Sequence, residues 1–227
     1  MKQEANSEAM INIQWYPGHM TKTRRMIEAD VKLVDAVCEI LDARIPIASR
    51  NPDIDRLAGD KPRIVVLNRT DLADPKATAR WHAAFQRQGM TVLETDSRSG
   101  KGVNGFAGAV RTALRDKIEA YAAKGQVGRP MRVMVLGIPN VGKSTFINKI
   151  AGRKTAKTED RPGVTRSKQW VPIDRNLELL DTPGILWPKF EDQSVGLNLA
   201  YTGAVKDDTL DTETLGCHLM AYLGANY

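Results

Sequence analysis

The residues whose types and spacing suit chemistry begin at 137–144, GIPNVGKS, which fits the pattern G-x-x-x-x-G-K-[ST]. This stretch lies between an apolar run at 133–136 and a segment whose Phe146, Ile147 and Ile150 share one side, so it reads as strand, tight loop and helix start. A polyphosphate needs several backbone N–H groups converging on it. Gly137 and Gly142 let the chain curl closely enough to present them, beside the partial positive charge of a helix N-terminus. Lys143 is then the point charge on the outer phosphates and Ser144 the hydroxyl for Mg²⁺, with Asn140, Val141 and Thr145 completing the expected cradle. A glycine-rich turn is the plain alternative; the strand-to-helix context favours a nucleotide.

Three weaker signals surround this loop. NRTD, 68–71, ends an apolar run. An ionised Asp71 there accepts from both guanine donors, N1 and N2. Each bond to a charged group contributes about 1.5–3 kcal/mol, so two discriminate against adenine by about 10²–10⁴-fold. Asn68 is expected to brace neighbouring loops and Arg69 to stack on the base, with Thr70 beside them. Asp96 and Ser97 follow another strand signal, and the Ser97 N–H suits the guanine O6. DTPG, 181–184, places Asp181 to hold Mg²⁺ through water and the Gly184 N–H to sense the γ-phosphate. Thr165, in the basic stretch RPGVT, is the natural second hydroxyl on the metal. Alone, NxxD is commonly a turn or helix cap and DTPG has a turn-only reading as its lesser alternative; together with 137–144 they point to hydrolysis of GTP.

The elements that must position these residues follow from pattern. Strands are expected at 36–41, 63–67, 91–95, 133–136, 169–173 and 177–180, and helices from Trp15 to about Val34 and at 53–58, 75–88, 103–123 and beyond 143. The alternation predicts an α/β fold, a doubly wound, mostly parallel sheet with ligands at the strand C-termini. Residues 1–12 read as a disordered lead and 13–205 as one GTP-binding domain. Its base-binding half is 13–123, its linker 124–130 and its phosphate half 131–205. The stretch from Gln193 to the end is expected to be helical and to cover the sheet, with 206–227 starting a further helical region.

Composition bounds the rest. A chain of 227 residues, 42% hydrophobic and 26% charged, can bury a full core. No apolar run approaches the ~18 residues a membrane span needs, and no membrane partner is expected. Cys38 and Cys217 stand far apart and read as buried free thiols of a reducing compartment, so a cytoplasmic protein is expected. Net charge is +6, but residues 121–175 hold twelve Lys and Arg against three Asp and Glu, whereas 176–227 hold two against eight. Part of the basic excess serves a triphosphate. The remainder fits either an RNA partner or a solvated face, as does the basic side of the first helix (Lys22, Arg25, Lys32).

With NRTD, DSR, GIPNVGKS, RPGVT and DTPG in hand, the set resembles that of the translation-factor-related GTPases, in rotated order: base-binding motifs first, phosphate and switch motifs after. WYPGHM, DARIP, Asn51-Pro52 and DTPGILWPKFED make the chain similar to the RbgA/YlqF family of circularly permuted ribosome-biogenesis GTPases. The resemblance implies a GTPase with Mg²⁺, slow by itself and stimulated by the ribosome, acting with a large (50S) subunit precursor and its rRNA in late maturation. A GTP-gated RNA- or ribosome-binding module with negligible turnover is the competing reading.

Ile185 stands where many GTPases carry a water-orienting Gln, and an aliphatic side chain cannot position a nucleophilic water. The resemblance implies that His19 of YPGHM takes that role beside Lys143 once the particle is bound; read alone, His19 more readily ends a turn beside the helix. It also implies that Asn140 coordinates K⁺, in place of an arginine finger. Arg69 replaces the usual Lys of NKxD and is expected to keep stacking. The family carries a further C-terminal helical RNA-binding domain, so a chain stopping at Tyr227 is expected to be a fragment.

Overall fold

Apolar runs without alternation become the strands of one sheet, because a strand covered by helices on both faces has no polar side. The structure, a computed structural model, describes residues 19–152, 169–186, 192–205 and 211–226, with 19–23 as helical backbone alone. Its strands are β1 (Ala36–Asp42), β2 (Arg63–Asn68), β3 (Thr91–Glu94), β4 (Met131–Gly137), β5 (Gln169–Asp174) and β6 (Leu177–Asp181). They lie in the order β3-β2-β1-β4-β6-β5, all parallel except β5, which pairs antiparallel with β6 at the edge. Pro172, which cannot donate to a ladder, is tolerated on that edge strand.

The helices are α1 (His19–Asp30), α2 (Asp53–Ala58), α3 (Pro75–Arg87), α4 (Phe106–Ala113), α5 (Arg115–Ala123), α6 (Lys143–Ala151), α7 (Gln193–Tyr201) and α8 (Thr212–Asn226). Strand side chains alternate between the two faces. Cys38, Ile40, Val133 and Val135 meet Phe106, Phe146, Ile147 and Leu199 in the larger core. Val37, Met134, Leu136 and Leu180 meet Ile27, Ile54 and Ile185 on the other face, and Leu41, Val65 and Leu67 meet Phe85. Phe106 and Phe146 pack edge to face at 5.2 Å and lock α6 to α4. Burying each such ring stabilises by roughly 1.5–3 kcal/mol.

Local chemistry sets the helix ends. Asp74 accepts the Ala77 N–H at 2.6 Å with Pro75 at the first helical position, and Asn51 Oδ1 accepts the Asp53 N–H at 2.9 Å ahead of α2. The first helix buries Ile27, Val34 is buried beyond it, and Arg25 and Lys32 are exposed, as its period requires. Residues 15–18 and the side chains of Met20 and Lys22 lie outside the description.

Three expectations are corrected. The single helix at 103–123 is a turn at Val103–Gly105 followed by α4 and α5, kinked at Leu114 (φ −110°, ψ 16°). Leu114 is drawn into the larger core, yet its N–H still reaches Val110 O and its carbonyl still accepts from Ile118, so the ladder bends without ending. The C-terminal cover comes from α7, which buries Leu199 and Ala200, while α8 buries no side chain. Cys38 is buried, its thiol proton held tightly by burial, but Cys217 is exposed. No helix among the described residues is long and apolar enough to cross a membrane.

The chain runs outward from β1 through β2 to β3, then returns to β4 on the other side of β1 and runs outward again. The topological switch point therefore lies between β1 and β4. A crevice opens at the C-terminal ends of those two strands, where ligands of such sheets sit.

Candidate nucleotide site

The loop after β4 enters this crevice. Gly142 caps α6 with φ +96°, and a Cβ there would stand 2.4 Å from Asn68 Nδ2. Only glycine accommodates both that backbone and that approach. The buried Asn68 amide ties three segments together: Nδ2 donates to Val141 O at 2.9 Å, and Oδ1 accepts from Thr95 Oγ1, Ser97 N and Ser97 Oγ at 3.0, 3.1 and 2.7 Å. The bracing expected of Asn68 is thus seen in the geometry. The Ser97 N–H is donated to Asn68, so any contact with a guanine O6 competes with this bond.

Arg69 adopts a left-handed backbone (φ 64°) and sends Nη2 to Asn140 O at 2.5 Å. Thr70 and Asp71 form a short turn, Thr70 bonded to Thr95 O and Asp71 exposed. Asp96 turns into its own loop, where Oδ1 accepts from Arg98 N and Ser99 N; the Ser99 hydroxyl first, and these N–H groups after it, hold its carboxyl below the usual range. Asn140 also has positive φ, 58°, and its Nδ2 donates to Gly203 O at 2.7 Å just beyond α7. Its amide oxygen is the group suited to a cation.

On the opposite wall, β6 delivers Asp181. Lys143 Nζ lies 3.3 Å from Asp181 Oδ1, and both side chains are buried. That oxygen sits at ion-pair distance yet accepts no hydrogen bond, an acceptor suited to the water shell of a hard divalent cation. Ser144 and Thr145 occupy the first turn of α6. Thr182 Oγ1 anchors DTPG to Val135 O, and a Cβ at Gly184 would stand 2.8 Å from Pro139 N, so the two loops touch through backbone. Ile185 is fully buried beside Leu136 and Ile27, and its N–H donates to Gly137 O. His19 heads α1 but its side chain is not described, and Thr165 lies outside the described residues.

Two residues escaped assignment from the motifs. Asp42 and Arg44, the start of DARIP, stand at the C-terminal end of β1 beside Arg69. Their place at a strand end, next to an unassigned loop, was the available signal. Below them Glu39 is buried against Arg63 (2.9 Å) and Arg50 (3.6 Å). Burial pushes its carboxyl up to about 7 although both guanidiniums pull it down.

The model of the family described as 50S ribosome-binding GTPase matches residues 132–212. Ribosome biogenesis GTPase A of Bacillus pumilus is 48% identical over 217 residues, 96% of this chain and 77% of that one. Its namesake in Thermotoga maritima is 32% identical, over 89% and 70%. The GDP-bound structure of YlqF from T. maritima superposes with a TM-score of 0.60 at 29% identity, covering 84% of this chain and 71% of that one. Sequence, sheet and motif order agree: the chain belongs to the ribosome biogenesis GTPase A family of circularly permuted GTPases.

Proposed function

We infer that this chain binds GTP with Mg²⁺ across the crevice between β1 and β4, and that hydrolysis times a late step in maturation of a large ribosomal subunit precursor in the cytoplasm. The chain is a ribosome-biogenesis GTPase; the residue roles, the rRNA contact and the timing are the inference. Residues 13–205 act as the GTPase domain, with 124–130 joining its halves. The reading is carried by one observation: Asn68 Nδ2 donates to Val141 O, so the base-binding turn and the phosphate loop form one wall.

In this division of labour Gly142, Val141, Thr145 and the α6 N-terminus hold the phosphates, and Lys143 meets the β- and γ-oxygens. Asp71 reads guanine, with Asn68, Thr70, Asp96 and Ser97 shaping its loops and Arg69 lying against the base. Ser144, Thr165 and Asp181 hold Mg²⁺, which supplies charge neutralisation on the transferring phosphoryl group. Asn140 offers its amide oxygen to K⁺, and Gly184 senses the γ-phosphate. With Ile185 turned into the core, unaided turnover is low. His19, on the helix that packs against Ile185 through the same apolar cluster, orients water once the particle is bound.

The test is multiple-turnover GTP hydrolysis with and without 50S particles, in K⁺ and in Na⁺. Stimulation by the particle, lost in His19→Ala while GTP affinity is kept, supports the reading. Unchanged stimulated kcat sinks the His19 role, and equal rates in the two salts sink the K⁺ role.

A further inference from the structure

Helix α3 packs on β2 and β3, and β1 stands between those strands and the phosphate loop after β4. Its sequence, PKATARWHAAFQR, holds Lys76, Arg80 and Arg87 and no Asp or Glu. Thr78 and Phe85 are buried, so at 3.6 residues per turn Lys76, Arg80, Ala83 and Arg87 fall together on the opposite side, and all four are exposed. Among the described residues none of the three cations has a side-chain ion pair or hydrogen bond. The arginines around α2 contrast with them: Arg24 and Arg56 reach Asp53, while Arg50 and Arg63 reach Asp55 and Glu39. The surrounding chain has the same sign. Residues 75–113 hold six Lys and Arg against two Asp and Glu. Of the two acids, Asp96 is buried in its own loop and Glu94 bonds His82 Nδ1 at 2.7 Å. Asp74, just before them, caps the helix.

Stability does not ask for this pattern. Lys76 stands in the first turn, against the positive end of the helix dipole, and Lys76 and Arg80 are like charges one turn apart; both arrangements disfavour a helix by itself. We propose that the exposed face of α3 is an RNA-docking surface that takes the phosphate backbone of a duplex. This surface deepens the reading of an rRNA partner and rests on it. Helical rise sets Lys76 and Arg80 about 6 Å apart along the axis and Arg80 and Arg87 about 10 Å, so the cations follow a line of phosphates where a single anion would meet only one of them. Ala83, between them, lets the helix come close. What the face lacks favours a duplex over other polyanions. Single strands stack their bases on exposed aromatic rings, and Trp81 is half-buried, packed on Phe85 with ring centroids 6.1 Å apart. A membrane surface takes up the apolar side of a helix, and that side of α3 is spent in the core. An acidic protein would dock around an exposed aromatic or apolar anchor, which the stripe does not carry. A-form RNA, recognised through its phosphates and shape, needs none of these. The plain alternative is a solvated basic face.

Binding of the full chain to an RNA duplex of about 16 base pairs separates the two. Affinity is measured by fluorescence anisotropy from about 50 to 200 mM KCl, beside single-stranded RNA of the same sequence and vesicles rich in anionic lipid. One variant combines Lys76→Gln, Arg80→Gln and Arg87→Gln. A control combines Arg25→Gln, Lys124→Gln and Arg175→Gln, which removes the same charge from scattered exposed positions. Docking along α3 predicts that the first variant weakens duplex binding by about tenfold or more and flattens the slope of log K against log salt by about two to three units, while the control changes both far less. GDP affinity stays at the native value in both. Should the first variant fold poorly, Arg80→Gln alone lowers the slope by about one unit. Equal losses in the two variants, no loss in the first, or tighter binding of the single strand or the vesicles overturns the proposal. If the native chain binds the duplex and the α3 variant binds it as well, only this surface fails. If the native chain does not bind the duplex at the lowest salt, the rRNA contact falls with it.

Discussion

Asn68 Nδ2 donates to the Val141 carbonyl at 2.9 Å across 73 positions of chain, while its Oδ1 collects three donors from Thr95 and Ser97. One buried amide therefore holds the phosphate loop, the turn at 68–71 and the loop after β3 in register. The two halves of the domain meet there, and they meet through a side chain whose capacity is nearly filled.

Asn68→Ala unpairs those partners at once. Four lost buried bonds, each about 0.5–1 kcal/mol net, predict a loss of about 2–4 kcal/mol in chemical denaturation. GDP and GTP affinities fall together, because both loops lose their brace. Native-like stability in the variant would show that the amide is replaceable by water.

Gly142→Ala and Gly184→Ala fail for different reasons. The first places a methyl 2.4 Å from Asn68 Nδ2 on a backbone with φ +96°; the second places one 2.8 Å from the Pro139 backbone nitrogen. Gly142→Ala is expected to abolish binding of GDP and GTP alike. Gly184→Ala forces the loop after β6 off the phosphate loop and is expected to reduce GTP affinity more than GDP affinity. Nucleotide titrations on both variants check this, and an equal loss for both nucleotides at Gly184 would count against its γ-phosphate role.

Ile185→Gln will not restore unaided hydrolysis. The side chain is 1% exposed and packs with Leu136 and Ile27, so a glutamine there is buried and deprived of water. The expected result is a stability loss of about 2–4 kcal/mol with no gain in intrinsic kcat. A faster, equally stable variant would mean that the residue turns toward the nucleotide.

Glu39 predicts a pH dependence of folding. Its folded-state carboxyl, raised to about 7 by burial, keeps a proton that the unfolded chain releases near 4.5. Its contribution to stability is therefore whole below pH 4.5 and lost as pH rises through 7. One proton over that interval is worth about 3 kcal/mol. Unfolding free energies measured from pH 5 to 8 should fall more steeply in the native chain than in Glu39→Gln, which still accepts from Arg63 but does not titrate. Parallel curves would refute the shift.

Much of the fold was legible because its signals are local. The apolar runs of β2 and β4, and that of β1 broken only by Glu39, announce strands buried on both faces, and Asp74-Pro75 announces the start of α3 within a residue. The kink at Leu114 was not legible, since no glycine or proline marks it and only the pull of the core on that side chain bends the helix. Nor was the exposure of α8, whose apolar composition reads the same whether or not a neighbour covers it.

The site divides along the same line. Residue types and spacings by themselves set what the groups can do: a phosphate loop, a carboxylate proposed to read guanine, an aspartate proposed to face a metal and an aliphatic residue where a glutamine is usual. Tertiary structure alone decided the partners. It gave the Ser97 N–H to Asn68, buried Ile185 against α1, tied Asn140 to Gly203 and set Asp42 between Arg44 and Arg69. The reason is physical: a motif specifies what a group can donate or accept, whereas the group it reaches depends on which distant strand end the packed sheet places beside it.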